Sequence, residues 1–335
     1  MGRAPILYLK EIGYPIVAVF GIPATLMTAV ILSQGKCGLS KGITRYMVAM
    51  AISNLLVIIF HVVVQEILAY YFPYSFVTQS SICPSHAYLK MVTMDYSVWL
   101  TISFTFDRFI SICCQKLRHR YCTERNAVVV IVSICVLSII KFIPCHFMYE
   151  PRFMIDNTWW GCKAKSAYFT SVGWMAFSWV ISLSIALLPF FLILLLNGLT
   201  ARHILVTSRV RRALKGLGSG QNQSDDEIDN RQKSIILLFA VSGSYILFWM
   251  TISVTFLSTR IAANGFVQSY SNPSYIANEV GMFLMHIATS VNTCVYGMTQ
   301  RKFREEVKKV VKYSLTPFSK LIKLKLQLPR SQTGK

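Results

Sequence analysis

Residues 83–113 read CPSHAYLKMVTMDYSVWLTISFTFDRFISIC. The stretch opens on Cys83, becomes almost continuously apolar from Leu89, and meets Asp107-Arg108-Phe109 near its far end. The 25 residues from Cys83 to Arg108 rise about 37 Å as an α-helix, enough to cross a hydrocarbon core of roughly 30 Å with some tilt. Helix is the form required, because a lone segment in lipid must satisfy its own backbone hydrogen bonds. Six more apolar runs of similar length fall at 12–34, 44–70, 126–148, 176–200, 233–257 and 276–298. Of 335 residues, 54% are hydrophobic and only 14% charged, with a mean hydropathy of +0.49. That balance excludes a soluble domain of this size. The fold class expected is an all-α membrane protein, a seven-transmembrane helix bundle.

Seven spans put the two termini on opposite sides, and the basic residues decide which is which. Most of the 34 lysines and arginines fall in one set of connections. That set includes Lys36, Lys41 and Arg45, then Lys116 to Arg125, then Arg202 to Lys233, and finally the stretch after Gln300. This places the C-terminus in the cytoplasm and the N-terminus outside, in the plasma membrane. The first run reads as an uncleaved signal anchor, because Met1 to Tyr14 lacks an apolar signal core. Ile6 stands where an N-myristoylation site needs Ser or Thr, which sets that modification aside. The net charge of +20 lies at membrane edges, where anionic lipid and topology account for it, so no nucleic-acid partner is expected. The connection at about 201–232 alone has linker character, with Gly216, Gly218 and Gly220 before the acidic run Asp225-Asp226-Glu227. Its sequon Asn222-Gln223-Ser224 is cytoplasmic in this orientation and therefore not glycosylated.

Several marks now fall in order along the spans. Asp107-Arg108-Phe109 closes the third span and resembles the Asp-Arg-Tyr motif of rhodopsin-like receptors. Pro189 lies in the fifth. Phe248-Trp249-Met250-Thr251 in the sixth resembles Cys-Trp-x-Pro without its proline, and Asn292-Thr293-Cys294-Val295-Tyr296 in the seventh resembles Asn-Pro-x-x-Tyr with Thr for Pro. Phe303 follows in Arg301-Lys302-Phe303-Arg304, as in a short amphipathic eighth helix. Together these resemble a rhodopsin-like (class A) G-protein-coupled receptor over roughly residues 12–312. Three stretches, 32–40, 233–239 and 302–306, further resemble the orphan branch of G-protein coupled receptor 139, whose members are related to neuropeptide receptors. Some of that branch have been proposed to sense aromatic amino acids.

The resemblance implies a layout of a short extracellular N-terminus (1–11), a receptor domain (12–298) and a cytoplasmic amphipathic helix with a basic tail (299–335). It also implies a heterotrimeric G protein and an extracellular small-molecule or peptide ligand as partners, besides membrane lipids. Asp107 and Arg108 would serve coupling, and Asn292 with Tyr296 the hinge of the seventh span. Departures accompany the matches. Thr25 stands where the first span usually has Asn, and Asn54 replaces the usual buried Asp of the second. The fourth span has no Trp. Where relatives hold the arginine by an acid on the sixth span, this chain has Arg231, a like charge.

Cys83 and Cys162 both fall on the extracellular side, where the compartment is oxidising, and a disulfide between them is expected. Cys145 reads as a buried free thiol; Cys113 and Cys114 read as packing or palmitoylation sites. Nine cysteines and six histidines show no zinc or metalloprotease spacing, so no metal and no cofactor are expected. Nothing resembles a nucleophile elbow, which argues against an enzyme. Ionisable residues within spans, among them Glu66, Lys90, Asp95, Lys141, Glu279 and His286, keep a membrane transporter as the alternative, although no internal repeat is evident. The lost motif residues also leave room for a receptor-like binding protein that does not signal.

The ligand pocket is expected around Lys90, two turns into the third span from Cys83. A lysine at that depth must be paired or wet. Glu66, Asp95 and Glu279 are its candidate internal partners; the alternative is a carboxylate from an amino acid or peptide terminus. Met94, Trp249, Phe256 and Met282 would form an apolar wall, with Ser253 and His286 as polar contacts.

Overall fold

The computed structural model describes the backbone of residues 5–215, 225–261 and 273–312, and their side chains except at 5, 208, 210–215, 225–234, 256–261, 274 and 297. Seven long helices run through it. They are α1 (Ile6–Ser33), α2 (Lys41–Tyr71), α3 (Cys83–Cys113), α4 (Glu124–Phe147), α5 (172–215), α6 (Asp225–Ile261) and α7 (Pro273–Thr299). A shorter helix, α8, covers 301–312. Among the described residues, α1, α2, α4, α5 and α6 are both long and apolar enough to cross a membrane. The helices α3 and α7 are as long but more polar, and α3 sits inside the ring. α3 packs against α2, α4, α5 and α6, and α7 closes the ring between α6 and α1. The chain is thus a helical membrane bundle, as its composition requires.

Each helix is longer than the apolar run that announces it. The helix of α1 begins at Pro5, inside the stretch read as a terminal segment. The expected linker at 201–232 is largely helical, because α5 continues to Lys215 and α6 starts at Asp225. Charged residues at helix ends do not stop a helix; they only take it out of the hydrocarbon.

Two proline positions explain two distortions. Pro15 and Pro189 each lack an N–H and crowd the carbonyl four residues earlier. The backbone answers with one π-turn at Leu9–Gly13 and another at Leu183–Leu187. The carbonyl of Glu11, four residues before Pro15, instead accepts a hydrogen bond from the Tyr71 hydroxyl at 3.1 Å. A longer π-segment, Ile58–Leu68, lies in α2.

Small residues set the closest approaches. A Cβ at Gly281 would stand 3.1 Å from the backbone of Ile252, so α6 and α7 meet there backbone to backbone. At Gly21 it would stand 2.6 Å from Ser290 Oγ, which fixes α1 against α7. The Thr293 hydroxyl, in the place of the family's proline, accepts from Thr28 Oγ1 at 2.9 Å and adds a polar pin to the same pair. Thr25, in the place of the family's Asn, turns back to the Gly21 carbonyl at 2.7 Å and spans no helix pair. On the outside of the bundle, Val129, Val132, Leu137 and Ile140 of α4 are exposed, an apolar face that lipid rather than water must cover.

Between α4 and α5 the chain forms an antiparallel hairpin of β1 (Tyr149–Ile155) and β2 (Thr158–Ala164), in register with Pro151 opposite Cys162. The two turn residues Asp156 and Asn157 have φ of 47° and 57°, the left-handed pair that a two-residue hairpin turn demands.

Candidate ligand pocket and switch residues

The first turn of α3 is tied to β2 by the Cys83–Cys162 disulfide, with a Cα–Cα distance of 6.0 Å. The hairpin is held again where Ser80 N–H donates to the Trp159 carbonyl at 3.0 Å and where Trp160 meets Tyr74 edge to face at 5.7 Å. These contacts lay β2 across the end of the bundle at which α1, α3, α5 and α7 begin. Cys145 is free and buried, as its apolar setting suggests.

Below that lid, Met94 of α3 and Trp249 of α6 share one buried cluster with Val98, Tyr245, Met285 and Ala288, with Met282 packed against it. Trp249 is 5% exposed and stacks on Tyr245 at 4.8 Å, so it faces the bundle interior and not lipid. Ser253 lies one turn above Trp249 on the same helix, buried, and its hydroxyl has no hydrogen-bond partner among the described residues. The side chain of Phe256 lies outside the described residues. Beneath the cluster is a cavity of about 20 Å³, room for about one water molecule, lined in part by Asn54, Ser97, Thr101, Trp249 and Asn292. Ser97 donates to Asn54 Oδ1 at 2.9 Å across its wall.

The charged residues of the outer half sort into two groups. Asp95, buried on α3, is claimed by α4. Its carboxylate is ion-paired with Lys141 and accepts from Ser138 Oγ at 2.7 Å. Glu66 of α2 and Glu279 of α7 are bridged by Lys10 of α1, whose Nζ lies 3.4 and 3.6 Å from them. All three acids proposed as partners for Lys90 are therefore engaged by other lysines, and none lies within 4.0 Å of Lys90 Nζ. Lys10 was not foreseen here. Its only signal in the sequence is a lone lysine two residues before the apolar run, one turn upstream of Pro15.

Around Lys90 the helices α2 and α3 exchange histidines. His61 Nε2 donates to the Lys90 carbonyl and His86 Nε2 to the Phe60 carbonyl, both at 2.9 Å. A carbonyl only accepts, so both rings carry the proton on Nε2. His286 of α7 packs against His61 at 5.3 Å and Tyr14 at 5.8 Å between ring centroids, and neither of its ring nitrogens has a partner among the described residues.

At the opposite end, Arg108 is ion-paired with its neighbour Asp107 and is 4% exposed. Thr105 and Ser242 lie within 3.3 Å across α3 and α6, and Leu237, Leu238 and Val241 of α6 are likewise buried. The side chain of Arg231 lies outside the described residues. Next to Asp107, burial and that carboxylate push the Cys122 thiol up to about 11. Tyr296 of α7 is fully buried against Phe303 of α8 at 6.3 Å.

This arrangement is matched by a family model. The 7 transmembrane receptor (rhodopsin family) model covers residues 25–296, and the chain belongs to that family. It is therefore a receptor by family and not an enzyme. Among curated relatives, melatonin receptor type 1B of Rattus norvegicus is 22% identical over 233 residues, covering 68% of this chain and 58% of the relative. The same receptor of Mus musculus is 19% identical over 233 residues with the same coverage. The chain thus spans a little over half the length of the curated relatives it matches.

Proposed function

We propose that this chain is a plasma-membrane receptor that takes an acidic small molecule or peptide terminus at Lys90 from the extracellular side and activates a heterotrimeric G protein at the Arg108 end. One observation carries the ligand part. Lys90 stands inside the bundle within electrostatic reach of Glu66 and Glu279, while both are bridged by Lys10 and Asp95 is held by Lys141. A half-buried ammonium inside the bundle without a close carboxylate is costly, and an incoming carboxylate supplies the missing partner.

Met94, Met282 and Trp249 share one cluster further into the bundle than Lys90, so a ligand anchored there by its carboxylate presses its apolar part on that cluster. Pressure on that cluster reaches α6 and α7 through their backbone contact at Gly281. At the far end, Arg108 is too enclosed to touch a partner, so coupling requires α6 to move. A ligand with higher affinity for the moved arrangement shifts the population toward it. The basic residues clustered at the Arg108 end orient that face to the cytoplasm.

The test is a screen of amino acids and short peptides on cells expressing the chain, read through several G-protein pathways. For any agonist found, Lys90→Met should lower potency by about tenfold or more at unchanged surface expression. An unchanged potency, or equal dependence on Lys90 for an agonist without an acidic group, overturns the carboxylate reading.

A further inference from the structure

The Lys10 bridge is a second charged site. Two carboxylates from different helices converge on one ammonium that comes from a third. Lys10, Glu66 and Glu279 retain 17, 15 and 16% side-chain exposure, so the cluster is largely enclosed but not sealed. The bridging distances of 3.4 and 3.6 Å exceed the 2.7–2.9 Å of a tight charge-assisted hydrogen bond. Lys10 offsets the charge of both acids through contacts longer than a tight ion pair.

A second observation points to a ligand. Tyr14, one turn further along α1, is 1% exposed, and its hydroxyl has no hydrogen-bond partner among the described residues. It lies close enough to Glu66 and Glu279 for both charges to act on it, and Tyr275 of α7 lies within electrostatic reach of Tyr14 and of Lys10. Two acids flanked by two phenols make a setting that suits an organic cation, through ion pairing and the ring faces.

The carrier of the present cation also fits a displaceable role. Lys10 sits within the π-turn Leu9–Gly13, near the start of the described chain, on a long stem with three rotatable donors. The turn is held independently of the lysine, by Tyr70 on Glu11 Oε1 and Tyr71 on the Glu11 carbonyl, both at 3.1 Å. The Lys10 side chain can leave without undoing that attachment.

We infer that Glu66 and Glu279 form a cation subsite, filled by Lys10 as an internal surrogate, that receives an ammonium or guanidinium group from an extracellular ligand. This rests on the receptor reading only for the side from which the ligand arrives; Lys90 lies within reach of the same two acids, but its proposed carboxylate partner is tested separately.

The probe is n-butylammonium, which carries the same terminal group as lysine. Full-length Lys10→Ala is purified in lipid nanodiscs and its thermal unfolding followed with n-butylammonium chloride, with sodium chloride at equal ionic strength, and with 1-butanol. The expected result is a saturable rise in Tm with n-butylammonium alone, larger in Lys10→Ala than in wild type. It should vanish when Glu66→Gln and Glu279→Gln are added. Lys10→Met, which keeps the stem's packing, undergoes the same comparison and serves if Lys10→Ala is not recovered folded. An equal response in wild type and the Lys10 variants, or one that survives removal of both acids, overturns the inference. The readout uses no agonist and no G protein, so its failure leaves the receptor reading standing.

Discussion

Lys141 of α4 sets its ammonium on the carboxylate of Asp95, in the middle of α3. The same ammonium donates to Ser184 Oγ of α5 at 2.9 Å, and Ser138 donates to the second carboxylate oxygen. Ser184 lies in the π-turn Leu183–Leu187, so one ion pair connects α3 and α4 to the distorted part of α5. The two charges are not equally sheltered. Asp95 is 2% exposed and Lys141 26%. Lys141→Met should therefore be the costlier single change, at about 3–5 kcal/mol, because it strands a buried carboxylate. Asp95→Asn should cost less, since Lys141 can turn toward the membrane edge. The double variant should recover most of the loss. Thermal unfolding of the four proteins in one detergent checks the order, and a double variant as unstable as the sum of the singles would contradict it.

At the tail, Phe303 is packed inside the bundle and Val311 is not. Phe303 is 1% exposed, and Val307 and Val310 pack against the same cluster, whereas Val311 is 42% exposed. The apolar face made by Phe303, Val307, Val310 and Val311 is thus divided between bundle and surroundings. Phe303→Ala should destabilise the receptor by about 3 kcal/mol or more, as for a large core side chain. Val311→Ser should leave unfolding within about 0.5 kcal/mol and instead weaken binding of a 300–326 peptide to anionic vesicles. Equal thermal shifts for the two substitutions would refute this division.

How much of this was legible depended on range. Arg108 and Trp249 could be placed because each is fixed by its position along a single helix. The Cys83–Cys162 bond could be anticipated from compartment and order. Pairings between helices could not. Glu66, Lys90, Asp95, Lys141 and Glu279 were all visible as ionisable residues within spans, but hydropathy and spacing carry no information on which helix faces which. Lys10 escaped because it precedes the apolar run and only a π-turn before Pro15 brings it to the bundle. The hairpin was missed although its signal was local, with Asp156-Asn157 standing between Phe153-Met154-Ile155 and Thr158-Trp159-Trp160.

The cavity beneath Trp249 predicts indifference to sodium. Its walls include Asn54, Ser97, Thr101, Thr289 and Asn292, with no carboxylate among them. A hard cation prefers charged oxygen ligands to a neutral amide that is already accepting from Ser97. Tm and agonist affinity should be the same in sodium chloride and choline chloride at equal ionic strength. Asn54→Asp should introduce a sodium-dependent rise in Tm. A sodium effect in the wild-type protein that choline does not reproduce would disprove the point.

The closing contacts at the Arg108 end set the last prediction, on ligand-free activity. Arg108 is enclosed and ion-paired with Asp107 on its own helix, a bond that moves with α3. The sequence position from which relatives supply an acid on the sixth span holds Arg231, a residue of the same charge as Arg108. Between α3 and α6 the polar contact described is Thr105 with Ser242 at 3.3 Å, a long hydrogen bond between neutral hydroxyls worth about 1 kcal/mol at most. Among the described residues, Phe104 of α3 and Leu237 and Val241 of α6 add apolar packing to this contact. A difference of a few kcal/mol between the two arrangements leaves about 0.1–10% in the minor one. Purified receptor should then stimulate nucleotide exchange on a G protein without agonist, and Ser242→Ala should raise that rate by up to about fivefold. Arg108→Ala should bring it to the level of empty nanodiscs, because the coupling contact is gone whichever arrangement prevails. Basal exchange that persists in Arg108→Ala would remove Arg108 from the coupling role, and a Ser242→Ala rate below wild type would show that this contact supports the active arrangement instead.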